Sequence, residues 1–593
     1  MQEYTSSGAT EVDPNKNVAG LLWEAEAAMP DQAVLAYRDG DAFVDVTMKE
    51  LATKVRRIAA GFMALGIEPG SRISLYSPSR VEFTYFDYAI WAAGCATVAI
   101  YETSSADQVD WIVGNSGSVA TICSSQAQVG TFNESASQHE ANKHVYCLDT
   151  GGMEALMELG KDISDEQVLA RSNMAVGSDL ATLVYTSGTT GRPKGCELTH
   201  NNFVWAVGQV GISIPEILNK DASTLMFLPL AHIFSRLIQV ISVSSGAKIA
   251  FSTGIPQLLE ELQMVKPTWI FSVPRVLEKV YNGAAASAAD DGKGKIFQAS
   301  AATAIAYGKA RQAGRIPMGL KLKYNLFNKL VYPKLRHAFG GNVTHVISGA
   351  AALGERLGFF YDAIGIKVFE GYGLTETTAG STVNREGEQL IGSVGRPIPG
   401  VSVRIAEDGE ILIKGPHIFS GYWKNPEATA ASIEPDGWFH SGDIGKLEDG
   451  FLFITGRKKE IIVTAAGKNV APAVIEDGIR SHPLIGQAMV VGEGQRFIAA
   501  MVTIDPDSWP RFCEQNEISG SVAENVDNEV LKAAVQEAID RGNKAVSRAE
   551  SVREVRILPT DFSIEGGELT PSLKMKRNVV AEKYAGLIDE IFG

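Results

Sequence analysis

The sequence predicts an α/β protein: a large N-terminal domain of two α/β subdomains plus a small β-barrel, followed by a small α+β C-terminal domain. Three observations carry this expectation. From residue 47 to about 375, apolar β-branched runs alternate with helical periodicities, the pattern of strands joined by helices in a largely parallel sheet. From Gly392 to Ile454 the pattern changes to short strands broken by Gly, Pro and Asp, with no long helix. After Gly456 a compact α+β pattern begins, with a helix starting at Ala471-Pro472 and strands at 488–491 and 497–504. At 593 residues the chain is too long for one core. The expected boundaries are a flexible N-terminus over 1–17, a large domain over 18–456 and a small domain over 457–593. Within the large domain a β-rich subdomain spans about 380–454 and a helical insert about 283–339.

Each element has its own signal. Residues 1–17 are polar and acidic, with no apolar segment of a signal peptide, and read as loosely attached. Thr47 and Glu50 form a capping box; Leu51, Val55, Ile58, Phe62 and Leu65 then fall on one helical face, and Gly66 stops the helix. Arg72–Tyr76, Glu82–Ala93 and Ala96–Ile100 read as strand, helix, strand. The segment Tyr101–Ser105 that follows reads as a structural turn, although ligands lie in such places. Leu180–Thr186 is a strand, and Met226–His232 is an apolar strand ending in a histidine. Trp269–Arg275 runs from strand to turn, and residues 283–314 are helical. Val343–Ser348 is a strand, and the strand from Lys367 runs into a turn at Gly373–Thr377. Over 319–339, Lys321, Lys323, Lys329, Lys334 and Arg336 alternate with Leu322, Leu326, Phe327, Leu330 and Val331. That suits either an anionic membrane surface or a helical hairpin packed on the domain with solvated lysines.

Composition excludes several classes. The net charge of −15 lacks the basic footprint of bulk nucleic-acid binding. Five cysteines without CxxC spacing argue against a zinc site or a disulfide framework and fit a reducing compartment. The charge-free apolar run Tyr88–Tyr101 is too short to span a bilayer. A cytoplasmic protein, peripheral at most to the inner membrane surface, is expected; the oligomeric state is left open.

The strand Leu180–Thr186 opens into Ser187-Gly188-Thr189-Thr190-Gly191-Arg192-Pro193-Lys194-Gly195. Glycines let backbone N–H groups approach an anion, hydroxyls add donors, and two cations close the loop. It is not a Walker A loop, which needs Gly before the Lys and Ser or Thr after it. Further along come Tyr372-Gly373-Leu374-Thr375-Glu376-Thr377, Gly437-Trp438-Phe439-His440-Ser441-Gly442-Asp443, Thr455-Gly456-Arg457-Lys458-Lys459-Glu460, and a terminal Lys574. In this order the motifs resemble the adenylate-forming superfamily of acyl-CoA synthetases, peptide-synthetase adenylation domains and luciferases. Leu228–Phe234, Val273–Tyr281, the insert after them and Gly567–Lys574 look like its long-chain fatty acyl-CoA synthetase branch.

The resemblance implies an ATP-, Mg²⁺- and CoA-using ligase with a fatty acid as substrate and acyl-AMP as intermediate. It implies that Thr186, Ser187, Gly188, Thr189, Thr190, Gly191 and Lys194 grip the β- and γ-phosphates. Glu376, with Thr186, would hold Mg²⁺, and Thr375 would donate to the α-phosphate. Tyr372, beside Glu370 and Gly371, would stack on adenine, with Gly349, Ala350 and Ala351 on its other face. Asp443, helped by Arg457, would accept from the ribose. Lys574 would bridge the acyl carboxylate and the α-phosphate. Lys459 would be the hinge about which a mobile C-terminal domain swings, and Gly467 would line the CoA tunnel. His232 and Gly349 would sit at the mouth of the acyl pocket. Arg236 occupies the position four residues on where some relatives place an aromatic gate. Leu573 stands where glycine is usual in the superfamily. An acyl-AMP ligase serving a carrier protein, and a non-catalytic lipid-binding scaffold, are the alternatives.

Overall fold

A computed structural model describes residues 2–186, 192–570 and 573–593. The strand Leu180–Thr186 is buried along nearly all its length, as a continuous apolar run requires. It lies inside a seven-stranded sheet. The parallel strands beside it are Ala96–Ile100, Arg72–Tyr76, Ala120–Cys123 and His144–Cys147, in that order. On its other side Lys194–Thr199 and then Gly421–Tyr422 add antiparallel strands. The second α/β unit holds two sheets. One runs Ser223–Met226, Lys248–Phe251, Ala33–Asp39, Ala42–Thr47; the other runs Trp269–Ser272, His345–Ser348, Lys367–Tyr372, Thr382–Val383, Arg396–Pro397. The β-rich part is a curled antiparallel sheet of Gln2–Thr5, Ser402–Ile405, Glu410–Lys414, Phe439–Glu448 and Phe451–Arg457.

Local signals produce local structure. The Thr47–Glu50 capping box forms, and the helix Met48–Ala64 buries Leu51, Val55, Ile58 and Phe62. The insert folds as helices Pro274–Asp290, Gly294–Gln312, Met318–Leu330 and Tyr332–His337. Two expectations are corrected. Residues 2–5 are not loose: they pair antiparallel with 402–405, Gln2 against Ile405 and Thr5 against Ser402. Backbone hydrogen bonds hold them, and polar composition conceals that. The strand expected over 226–232 ends at Met226. Beyond it the chain is tied by Ser79, whose hydroxyl donates to Leu228 O at 2.8 Å and accepts from Leu230 N at 2.7 Å. His232 then caps the helix Ile233–Ser245.

The small domain is built on Ile485–Val491, Ile498–Ile504 and Val552–Ile557, with helices Pro472–Arg480 and Glu529–Asn543 packed together. Its core starts at Ile462, whereas the main core of the large domain stops at Leu452. Among the described residues, no hydrophobic cluster spans that gap. Residues 453–461 thus separate two hydrophobic cores, while polar contacts such as Arg275 with Asp505 at 3.0 Å link the two parts.

Arg236 is also corrected. It is fully buried and faces the core. Its guanidinium pairs with Asp87, Nε to Oδ2 at 3.1 Å, donates to Thr182 Oγ1 at 2.6 Å and lies over Trp91. Thr97 and Gln239 complete the shell of Asp87, at 2.7 and 3.0 Å. Removing one partner strands a buried charge. Arg236→Ala or Asp87→Ala is therefore expected to cost about 3–5 kcal/mol in chemical denaturation. A variant of normal stability with altered acid preference would instead put Arg236 in the pocket.

Candidate active site

One cavity of about 1300 Å³ lies where the two domains meet. Its walls are loops at the carboxyl ends of strands, the usual place for ligands in α/β sheets. Ser348 and Glu370 are neighbours on parallel strands, so the segments that follow, Gly349-Ala350-Ala351 and Gly371-Tyr372, line the cavity side by side. Glu370 accepts a hydrogen bond from Leu353 N at 3.0 Å, and burial pushes its carboxyl up to about 7. The chain then turns sharply. A Cβ on Gly373 would lie 2.0 Å from Ala379 O, so only glycine fits there.

Asp443 and Arg457 are cross-strand partners in the curled sheet. The Arg457 Nε lies 3.2 Å from Asp443 Oδ1, and the Tyr372 hydroxyl donates to Asp443 Oδ2 at 2.7 Å. Burial and the Asp443 charge hold the Tyr372 phenol well above its usual range. This triangle ties the second α/β unit to the curled sheet and fixes the carboxylate facing the cavity.

Glu376 sits in a single turn, Thr375–Thr377, and both Thr375 and Glu376 line the cavity. The Tyr422 hydroxyl donates to Glu376 Oε1 at 2.7 Å, while the Lys194 ammonium lies over the Tyr422 ring, 4.9 Å from its centroid. Thr186 and Lys194 are cross-strand partners, and both line the cavity wall. The phosphate-gripping roles expected of Ser187, Gly188, Thr189, Thr190 and Gly191 lie outside the described residues. Arg192 stacks over Trp111 and is not in the cavity lining.

Lys574 comes from the small domain. Its turn is closed by Thr570 N donating to Lys574 O at 2.8 Å and Lys574 N donating to Thr570 Oγ1 at 3.0 Å. Leu573 adopts φ +61°, the left-handed conformation that explains why glycine suits this position. The side chain is half-buried and lines the cleft. Burial, then the Arg457 charge, pushes its pKa down to about 8, against Asp443 and Glu376, which favour the charged form. His232 lines the same cavity. Its Nδ1 accepts from Phe234 N at 3.2 Å, and burial, helped by Lys574, pushes its pKa down to about 3, so the ring is neutral.

Several lining residues carried no usable sequence signal. Ile233, Phe234, Leu237, Ile238 and Ile241 form one face of the helix Ile233–Ser245, and Val210 and Ile214 come from the end of the neighbouring helix His200–Ser213. Together they make an apolar wall that starts at His232 and extends about 12 Å along the helix axis at its standard rise. Arg236 and Gln239 lie on the opposite, core-facing side. Tyr101, Thr103 and Ser104, read as a structural turn, also line the cavity, as does Tyr422. Lys459 lines it from the turn Lys458–Glu460. Gly467 does not: it tops an exposed hairpin at φ +74°, outside the cavity lining.

A cleft lined by charged and polar groups, with a lysine from the small domain, and continued by an apolar wall suits a polar ligand together with an apolar one. Comparison gives the family: the chain belongs to the AMP-binding enzymes. The AMP-binding enzyme model matches residues 22–423, and the AMP-binding enzyme C-terminal domain model matches 459–593. The chain is 44% identical to long-chain-fatty-acid–CoA ligase FadD15 of Mycobacterium bovis, over 100% of both chains. It is 31% identical to long-chain-fatty-acid–CoA ligase 5 of Rattus norvegicus, over 92% of this chain and 84% of that one. The fold matches the adenylation domain of a carboxylate reductase from Mycobacterium chelonae, with a TM-score of 0.75 at 20% identity, over 98% and 92% of the two chains.

Tyr422→Phe removes one hydroxyl and leaves Glu376 without its donor. It is expected to weaken ATP binding about tenfold, in line with about 1.5 kcal/mol for a hydrogen bond to a charged group, at an unchanged thermal midpoint. Calorimetric titration checks this, and an unchanged affinity would mean that Glu376 needs no such support.

Proposed function

We propose that this protein is an AMP-forming long-chain fatty acid–CoA ligase. The observation that carries this is one cavity lined by Lys574 of the small domain, by the Asp443–Arg457–Tyr372 triangle and Glu376, and by His232 and the apolar wall. The names of relatives at 30% identity or more favour a long-chain acid and CoA. They also favour CoA over a carrier protein as the acceptor.

In the first step a carboxylate oxygen of the acid attacks the α-phosphorus of ATP. An O–P bond forms, the α–β bridge breaks and pyrophosphate leaves. The protein's contribution is positioning and charge neutralisation. Lys574 would bridge the two anions that must meet, and the partial exclusion of water from the cleft would strengthen its pull on both. Thr375 donates to the α-phosphate. Tyr372 covers one face of the adenine, Gly349-Ala350-Ala351 the other, and Asp443 accepts from the ribose with Arg457 holding it. Thr186 and Lys194 hold the outer phosphates. One carboxylate and one hydroxyl, Glu376 and Thr186, fit Mg²⁺, which keeps most of its oxygen ligands from phosphates and water. Bound there, the ion would neutralise phosphate charge. The neutral His232 stands where the acyl chain leaves the nucleotide for the apolar wall.

In the second step the CoA thiol attacks the acyl carbonyl. A C–S bond forms, the C–O bond to AMP breaks, and the thiol proton is lost. The thiol needs an approach that Lys574 obstructs, so the small domain turns at Lys459 and brings the Gly467 hairpin to the thiol path. The separate cores on either side of 453–461, and the charged single turn that holds Lys459, support this reading. A long-chain acid also partitions into bilayers, which makes peripheral membrane contact part of the same reading. Among the described residues no helix is long and apolar enough to cross a membrane.

Lys574→Ala is expected to abolish acid-dependent pyrophosphate exchange and to spare thioester formation from supplied acyl-AMP. Equal loss of both steps would contradict the positioning role. Because Lys574 must be protonated, kcat/KM for the first step should fall as pH rises through about 8. Lys574→Arg, which stays charged, should lose that limb. Lys459→Pro is expected to spare exchange and block thioester formation, and an intact second step would remove the hinge.

A further inference from the structure

Residues 292–354 contain no Asp or Glu but ten Lys or Arg, in a chain whose net charge is −15. The helix Met318–Leu330 lies inside this stretch. One of its faces is packed. Tyr324 stacks on Tyr307 at 3.7 Å and donates to Ala363 O at 2.8 Å, and Phe327 and Val331 pack against the core. Its other face is apolar and uncovered: Met318 is 79% exposed, Leu322 66%, Leu326 55% and Leu330 58%. At 3.6 residues per turn, positions four apart drift by only about 40°, so the four side chains form one stripe. Lys321 borders the stripe on one side and Lys323 on the other, and Lys329 lies within it. All three lysines are exposed, and none forms an ion pair among the described residues.

We propose that this stripe docks the enzyme on an anionic phospholipid bilayer. Four large apolar side chains held in water by a helix anchored through Tyr324 and Phe327 are unfavourable unless something covers them. Charge complementarity selects the cover. Lysines flanking an apolar stripe can bury their stems and reach headgroup phosphates, as in an interfacial helix. A two-fold contact between copies would set Lys321 and Lys323 of one against the same lysines of the other, with no acid in the surrounding 63-residue stretch to neutralise them. The inference rests on the ligase reading only for its purpose, since a bilayer is where a long-chain acid is most concentrated. The surface itself is defined without reference to catalysis.

The test is flotation of the full chain with vesicles of phosphatidylglycerol and phosphatidylcholine, and with phosphatidylcholine alone, in the absence of ATP and acid. The chain is expected to float with the anionic vesicles, less so with the neutral ones, and to be released by salt. Leu322→Glu combined with Leu326→Glu should lower partitioning about tenfold or more. Its thermal midpoint and its ligase turnover on a water-soluble medium-chain acid should match wild type. Unbound wild type, or a double variant that floats equally well, overturns the proposal. So does a wild-type dimer in sedimentation velocity that the double variant abolishes, which would assign the stripe to a second copy. Vesicle binding is read without turnover, so its failure leaves the ligase reading untouched. Failure of the ligase assay likewise leaves the docking result standing.

Discussion

The proposed reaction depends on an ammonium, that of Lys574, which must stay charged in a cleft that half-buries it. Lys574 belongs to one domain and the charged groups that face it to the other, so closing the cleft over it disfavours its charge on balance. Burial works against the charged form, and Arg457 adds to that. Asp443 and Glu376 oppose it. The balance leaves the lysine near the point of losing its proton even before two anionic substrates arrive. In the proposed reaction, phosphate and carboxylate bound beside it would tip it toward the charged form, which would couple substrate binding to domain closure.

A lysine of this kind needs a rigid socket. The large domain supplies one by tying strand ends to each other through side chains. Tyr372, Asp443 and Arg457 join the second α/β unit to the curled sheet. Tyr422, on the last strand of the seven-stranded sheet, reaches across to Glu376 and also carries Lys194. All three sheets of the site are thus fixed by hydrogen bonds and charge contacts centred on the cavity. The buried Arg236–Asp87 pair serves the wall behind. It anchors the core side of the helix whose opposite face offers Ile233, Leu237 and Ile241 to the cavity.

Much of this was legible in the sequence wherever the signal was local. The capping box at Thr47, the strands Arg72–Tyr76, Ala96–Ile100 and Leu180–Thr186, and the helix at Pro472 all follow from short-range chemistry. The motif residues Thr375, Glu376, Asp443, Arg457 and Lys574 were known as separate patches, and the fold brings them around one cavity. What escaped depended on partners far along the chain. The N-terminal strand finds its mate some 400 residues away. Arg236 looks like a pocket residue until Asp87, 149 positions earlier, neutralises it. Tyr422 sits in an unremarked Gly-Tyr-Trp run, and the acyl wall has the composition of any buried helix face. Gly467 lies on an exposed hairpin here, where its expected part belongs to a different domain position.

The most direct measurement is product mass spectrometry with ATP, Mg²⁺ and acids from acetate to stearate, each with and without CoA. Long-chain acyl-CoA, AMP and pyrophosphate are expected, with the thioester formed only when CoA is present and with little product from acetate. Acyl-AMP accumulating in the presence of CoA would keep the first step and move the acyl group to another acceptor. No adenylate from any acid would contradict the account.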